Sequence, residues 1–218
     1  RRLRKVTYEE MLEMAYSGSK VLQTRSVSTA MANNVRVRVL SSFEEVTPDS
    51  GTILVNNNEE IMERRVITGI SCAKNEVHVT LEQMPDHPGL SAIIFGALAE
   101  KEVNVDMIVQ NISTDGKTDL TFTIPKEDLN KTVKILEKNK SKLAYRKLIK
   151  DEQIALISII GAGMKTHTGI ATRMFKSLSK SKINISMITT SEIKISCVIN
   201  TSKCKSAIKS LHREFNLD

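Results

Sequence analysis

From Val77 the apolar positions alternate, with Val77, Val79 and Leu81 separated by His78 and Thr80, which predicts a half-buried strand. A loop follows, Met84-Pro85-Asp86-His87-Pro88-Gly89. Leu90, Ile93, Ile94, Ala97 and Leu98 then fall at helical spacing. Asn104 to Asn111 reads as a second strand, Asp115-Gly116 as a hairpin turn, and Leu120, Phe122 and Ile124 as a third strand. Pro125 stops that strand, Leu129, Val133 and Leu136 mark a second helix, and Lys142–Ile149 predicts a fourth strand. The order is βαββαβ, the split βαβ arrangement of ferredoxin-like folds.

The same order then returns. It gives strand Ile154–Ile160, loop Gly161–Thr168, helix Gly169–Ser181, strands Ile185–Thr190 and Ile193–Ile199, and helix Lys203–Phe215. Residues 84–111 and 164–191 are one motif written twice at an offset of 80. Met84, His87, Gly89, Phe95 and Leu98 recur as Met164, His167, Gly169, Phe175 and Leu178, and Asn104, Met107 and Ile108 recur as Asn184, Met187 and Ile188. Chance would give roughly two such identities at a background of about 6% per residue type. The second copy runs out of chain before a fourth strand. The orphan strand Arg65–Cys72 is the candidate donor, so the first copy is expected to be inserted into the second.

Residues 1–64 are different. Thr7-x-x-Glu10 is a capping box, Met11, Leu12 and Ala15 begin an apolar face, and Gly18 interrupts it. A second helix includes Val27, Met31 and Ala32. Val35, Val37 and Val39 predict a strand with Arg36 and Arg38 on its other face, Pro48 and Gly51 mark turns, and Asn56-Asn57-Asn58 opens a charged linker. The stretch is too short for a complete α/β domain and reads as the tail of one.

Composition narrows the function. Of 218 residues 40% are apolar, and no run approaches the ~18 needed to span a membrane. No signal peptide is visible, and the Arg at position 1 suggests a piece of a longer chain or a processed one. A cytoplasmic location is expected. The net charge of +7 fits a lysine-rich solvated surface. The alternative, a basic nucleic-acid-binding regulator, lacks aromatic stacking residues and any recognisable binding motif, so neither nucleic acid nor membrane is expected as a partner. Cys72, Cys197 and Cys204 have no CxxC spacing and are read as reduced thiols, neither a disulfide frame nor a metal site.

Both loops end in a glycine, Gly89 and Gly169, at a helix start, where unpaired N–H groups and a partial positive charge can receive a ligand carboxylate. The plainer explanation, a turn that needs positive φ, fits both glycines as well. There is no Walker loop, GxSxG elbow, HExxH or nucleophile–base pair, and Gly161-Ala162-Gly163 lacks the rest of a dinucleotide fingerprint.

Val109-Gln110-Asn111-Ile112-Ser113, Gly161-Ala162-Gly163-Met164-Lys165 and Thr190-Ser191-Glu192-Ile193 closely resemble the regulatory region of bacterial aspartate kinase, and the repeats resemble its two ACT domains. Glu10-Met11-Leu12-Glu13, Gly18-Ser19-Lys20-Val21-Leu22 and Arg25-Ser26-Val27 resemble the end of its amino-acid-kinase domain. The resemblance implies an α+β chain: residues 1–64 as a kinase-domain remnant and linker, 76–149 as the first ACT domain, and 65–75 with 150–218 as the second. It implies ATP-dependent phosphorylation of the aspartate side chain by the complete enzyme, with ATP and Mg. Lysine, and threonine as a second candidate, would be the feedback effectors. The family's Lys-Phe-Gly-Gly-Thr-Ser start is absent, so this segment is expected to regulate rather than catalyse and to carry no cofactor of its own. Lys20 matches a family lysine near the nucleotide in an incomplete site. Gln23-Thr24 stands where many members have His-Pro, and Thr168 where many have Pro. A free-standing ACT-type amino-acid sensor is the runner-up, disfavoured by the kinase-like tail.

The family's effector sites lie between ACT domains of two chains, which implies a homodimer. Carried over, one site would use Asp86, Gly89, Ser91 and Gln110, facing the partner's Asn184 and the partner's Ile185. The other would use Met164, His167, Gly169, Ile170, Ser191 and Glu192, facing the partner's Asn104, the partner's Val105 and the partner's Asp106. Glu192 with that Asp106 suits a lysine ε-ammonium. Positions matching Ser91, Gln110, Ser113 and Thr121 are associated in the family with feedback sensitivity.

Overall fold

The computed structural model describes residues 2–19, 21–56, 66–112 and 115–217. In chain order, β1 (Lys5–Thr7), α1 (Tyr8–Met14), α2 (Thr24–Ala32), β2 (Val37–Val39) and β3 (Thr52–Val55) precede β4 (Gly69–Ala73). The first copy follows as β5 (Glu76–Pro85), α3 (Leu90–Ala99), β6 (Ile108–Ile112), β7 (Lys117–Pro125), α4 (Leu129–Lys138), α5 (Lys140–Leu143) and β8 (Lys147–Asp151). The second is β9 (Ile154–Ile160), α6 (Ile170–Lys180), β10 (Met187–Thr190), β11 (Lys194–Asn200) and α7 (Cys204–Glu214). Packing divides the chain into two compact units, 1–73 with 156–218, and 74–155.

In the unit 74–155 the sheet order is β6-β7-β5-β8, antiparallel throughout. Period-two alternation sends Val77, Val79 and Leu81 of β5 and Leu120, Phe122 and Ile124 of β7 to one face, where Leu90, Ile94 and Leu98 of α3 and Leu129 and Leu136 of α4 close over them. Each such side chain contributes about 1.5–3 kcal/mol by leaving water. Phe95 meets Phe122 edge-on at 5.6 Å. A bulge between Leu81 and Met84, with Gln83 at φ 53°, bends β5 into the loop.

The fourth strand of this copy differs from expectation. Lys140–Leu143 is helical and ends at Ala144, φ 47°; only then does β8 begin. Leu143 and Tyr145 alternate as in a strand, yet both are buried in the core from either side of that turn. Local spacing does not distinguish the two arrangements.

In the other unit the second-copy sheet runs β10-β11-β9-β4, and β4 pairs antiparallel with β9 from Gly69↔Ile160 to Ala73↔Leu156. The strand before copy one thus completes copy two, spanning Gly69–Ala73 rather than Arg65–Cys72. All seven residues of β9 are buried, in contrast to the alternating β5. The amino-terminal segment packs here too: Met14 lies so close to Gly69 that an added Cβ would come within 2.6 Å of it. Thr7 and Glu10 form the capping box of α1, and the helix breaks at Gly18, φ 95°. A small sheet, β1-β3-β2, contains two strands that the sequence pattern did not suggest, β1 and β3, which pair in parallel from Lys5↔Ile53. Three- and four-residue strands carry too few positions to show a period.

The cysteine reading is corrected. Cys72 on β4 and Cys204 at the start of α7 form a disulfide, although 132 residues separate them. Closure of the sheet by β4 brings its residues against α7, which no spacing rule reveals. Cys197 is free and buried, its thiol pushed up to about 12 by desolvation. Among the described residues no helix is long and apolar enough to cross a membrane.

Candidate functional site

The second-copy loop begins where β9 ends. Gly161 sits so tightly against the backbone of Val66 and Ile67 that an added Cβ would lie 2.2 Å from the Val66 carbonyl. Its N–H donates to Ile193 O at 2.9 Å, tying this loop to the one between β10 and β11. A short 3-10 turn over Ala162–Thr166 follows. His167 Nδ1 lies 2.9 Å from Gly163 O; a carbonyl only accepts, so Nδ1 carries the hydrogen and Nε2 is the acceptor of a neutral ring. Gly169, at φ 82°, takes the left-handed turn that starts α6. No side chain caps that helix, so its first-turn N–H groups remain for a ligand. On the facing loop, Ser191 N donates to Lys194 O at 2.8 Å.

Between the two loops lies a cavity of about 420 Å³. Met164, His167, Gly169, Ile170, Ser191 and Glu192, the six residues assigned to the second site from this side, all line it. Ile170 and Ile195 form its apolar part, buried to 5% and 7% exposure. Lys165, Ala171 and Thr190 complete the lining. Asn184 and Ile185 precede β10 and are not part of it.

Lys165 is the functional residue that sequence reasoning missed. Its Nζ lies 2.6 Å from Glu192 Oε2. The hydrogen bond, and then the opposite charge, raise the Lys165 pKa and lower that of Glu192. The carboxylate expected to receive a ligand ammonium therefore already holds one. The repeat could have flagged this, since the residues 80 positions earlier, Pro85 and Ile112, are uncharged.

The first-copy loop repeats the backbone but not the chemistry. Gly89 has φ 100° and α3 again lacks a side-chain cap. Ser91 Oγ donates to Gln110 Oε1 at 3.5 Å, so these two predicted residues meet, and Asp86 is held by its N–H on Gly116 O at 2.9 Å. Asn104, Val105 and Asp106 precede β6, and Asp106 N donates to Thr123 O. Thr121 lies on the sheet face away from the helices and hydrogen-bonds Thr80 at 2.9 Å. Ser113 and Lys20 lie outside the described residues.

Near Asp106 the charges crowd. The Glu76 carboxyl is pushed up to about 7 by burial, then by Asp106 and Glu127, and its Oε2 has no hydrogen-bond partner among the described residues. Burial lowers the His78 pKa, with Asp151 opposing.

The ACT domain family matches residues 77–139 and 157–215. An aspartate kinase of Pseudomonas putida is 45% identical over 218 residues; the match covers 100% of this chain and 52% of that protein, so the chain spans about half the length of such relatives. A crystal structure of aspartokinase alpha and beta subunits is 37% identical with a TM-score of 0.65, over 69% of this chain and 99% of that one. The regulatory subunit of aspartate kinase from Thermus thermophilus is 30% identical with a TM-score of 0.66, again over 69% and 99%. Two ACT repeats, a cavity at the start of the second, and these matches along both copies place the chain in the ACT domain family, in the regulatory region of the aspartate kinases.

Proposed function

We propose that this chain senses end-product amino acids for an aspartate kinase, with the cavity between β9–α6 and β10–β11 as an effector site. The observation that carries the reading is the convergence of six independently expected residues on that one cavity. Its volume of about 420 Å³ lies in the range of small-molecule sites. The α-carboxylate of an amino acid suits the uncapped start of α6 behind Gly169, where N–H groups and the helix dipole favour an anion. A lysine ε-ammonium suits Glu192, with the partner's Asp106 facing it. Threonine suits the first-copy site, whose Ser91 and Gln110 are neutral.

The complete enzyme would transfer the γ-phosphoryl of ATP, with Mg, to the side-chain carboxylate of L-aspartate in the cytoplasm. This segment would answer for feedback rather than chemistry. A homodimer would finish both sites. Edge strands β6 and β10 support it, since each exposes an isoleucine at the matching repeat position, Ile108 at 52% and Ile188 at 46%.

Calorimetric titration with lysine and threonine tests the assignment. Glu192→Gln is expected to weaken lysine by about tenfold or more and threonine by much less, because only lysine loses a charge-assisted contact. Equal losses for both amino acids, or none for lysine, would remove lysine from this cavity.

A further inference from the structure

The carboxylates of α1 reach both walls of the effector cavity. Glu10, only 4% exposed, accepts from Ala162 N at 2.8 Å and from Thr68 Oγ1 at 2.6 Å through Oε1, while Oε2 closes the capping box on Thr7. Ala162 stands two residues before Met164 at the cavity wall. Glu13 Oε2 pairs with Lys194 Nζ at 2.8 Å, and Lys194 stands between Glu192 and Ile195 of the other wall. Lys194 also lies over the Tyr16 ring, 5.6 Å from its centre, in the turn that follows α1. One short helix of the kinase-like tail is thus fastened to the loop on each side of the ligand space.

Lys165 is the mobile element in this frame. It is 47% exposed, its partner Glu192 is 78% exposed, and nothing but their ion pair fixes their geometry. The first residue of the acidic row, Glu9, also acts on Lys165 electrostatically. Lys165 thus lies within the field of two carboxylates, one in the cavity and one on α1.

Building on the effector reading above, we propose that Lys165 carries the signal: a cationic amino acid takes Glu192, and Lys165 swings to Glu9 and draws α1 against the effector loop. An incoming ammonium and Lys165 compete for one carboxylate, and two cations cannot share it without repulsion. Lys165 then has a second anion on the element already clasped to both walls. An amino acid with a neutral side chain leaves Lys165 on Glu192 and gives α1 no such pull. Lys165 is therefore a specificity residue as well as a relay. Copy one has Pro85 at this position, so the device belongs to copy two alone.

The test uses the 218-residue chain, lysine and threonine as probes, calorimetry for binding, and amide hydrogen exchange of residues 8–14 as the readout of α1. Saturating lysine is expected to slow exchange in α1 of the wild type severalfold, and threonine to leave it unchanged. Lys165→Met is expected to bind lysine about two- to fivefold more tightly, because a competitor for Glu192 is gone, and yet to lose the α1 response. Lys165→Arg keeps the charge and should keep the response; Glu9→Gln should lose it with lysine binding intact. Absence of lysine binding to the wild type would sink the effector reading and this relay with it. Lysine binding with an unchanged α1, or a Lys165→Met variant that still protects α1, would overturn the relay alone.

Discussion

Replacing Glu76 by Gln should make the protein more stable above neutrality and leave it unaltered in acid. The carboxyl stands at the start of β5, partly buried, with Asp106 and Glu127 adding like charge. Carrying it from its ordinary 4.5 to about 7 corresponds to about 3.4 kcal/mol, at about 1.36 kcal/mol per tenfold change in proton affinity. Part of the side chain stays in water, so solvent screening reduces this to a working figure of about 1.5 kcal/mol. The sign follows from proton linkage. The folded chain binds this proton more tightly than the unfolded one, so the stabilisation is complete below pH 4.5 and drains away as pH rises through about 7. His78 works in the opposite direction: its lowered pKa gives stability that is present above 6.5 and lost in acid. It is common to both proteins and cancels in their difference. Urea unfolding at several pH values from about 4.5 to 8 measures that difference. The Gln variant should match the wild type at the acid end and exceed it by about 1.5 kcal/mol at pH 8. A difference that does not grow with pH, or a variant that is weaker at pH 8, would refute the reasoning.

Two further expectations follow from the core and from the first-copy site. Leu178 is fully buried beneath α6, so Leu178→Ala should cost about 2–5 kcal/mol in urea unfolding, and a loss under 1 kcal/mol would mean that the helix packs less closely than described. In the complete enzyme, Gln110→Ala or Thr121→Ile should leave effector-free turnover nearly intact and raise the lysine or threonine concentration needed for inhibition, because only the differential affinity for the inhibited state is touched. Unchanged inhibition midpoints would exclude these residues from regulation.

Repetition made much of this chain legible. One copy alone offers a short apolar alternation and a loop; the second, 80 residues on, shows which positions the fold keeps, among them Gly89 and Gly169, both in the left-handed region. The same comparison exposed the missing strand, and Gly69–Ala73 fills it. What stayed hidden is contact between distant segments. Glu10 was legible as half of a capping box because its partner lies three residues away. Its other oxygen reaches Ala162, 152 positions on, and no local pattern encodes that. The Lys165–Glu192 pair and the Cys72–Cys204 bridge were opaque for the same reason. β1 and β3 were missed because each is specified by its neighbour in the sheet more than by its own residues.

The nesting of one copy inside the other also sets a timetable for synthesis. Residues 74–153 separate the end of β4 from the start of β9. At about 5–20 residues per second, β4 leaves the ribosome roughly 4–16 s before its pairing partner exists. Left as open chain, that span would cost about 4 kcal/mol of loop-closure entropy. The inserted copy removes most of the burden by folding first. Within it β5 pairs with β8, His78 opposite Asp151, so its entry and exit lie side by side. Once it has formed, β4 and β9 are delivered to each other across only a few residues. The inserted copy thus serves as an assembly jig for its host, and a substitution that slows its folding would leave β4 waiting as an unpaired edge.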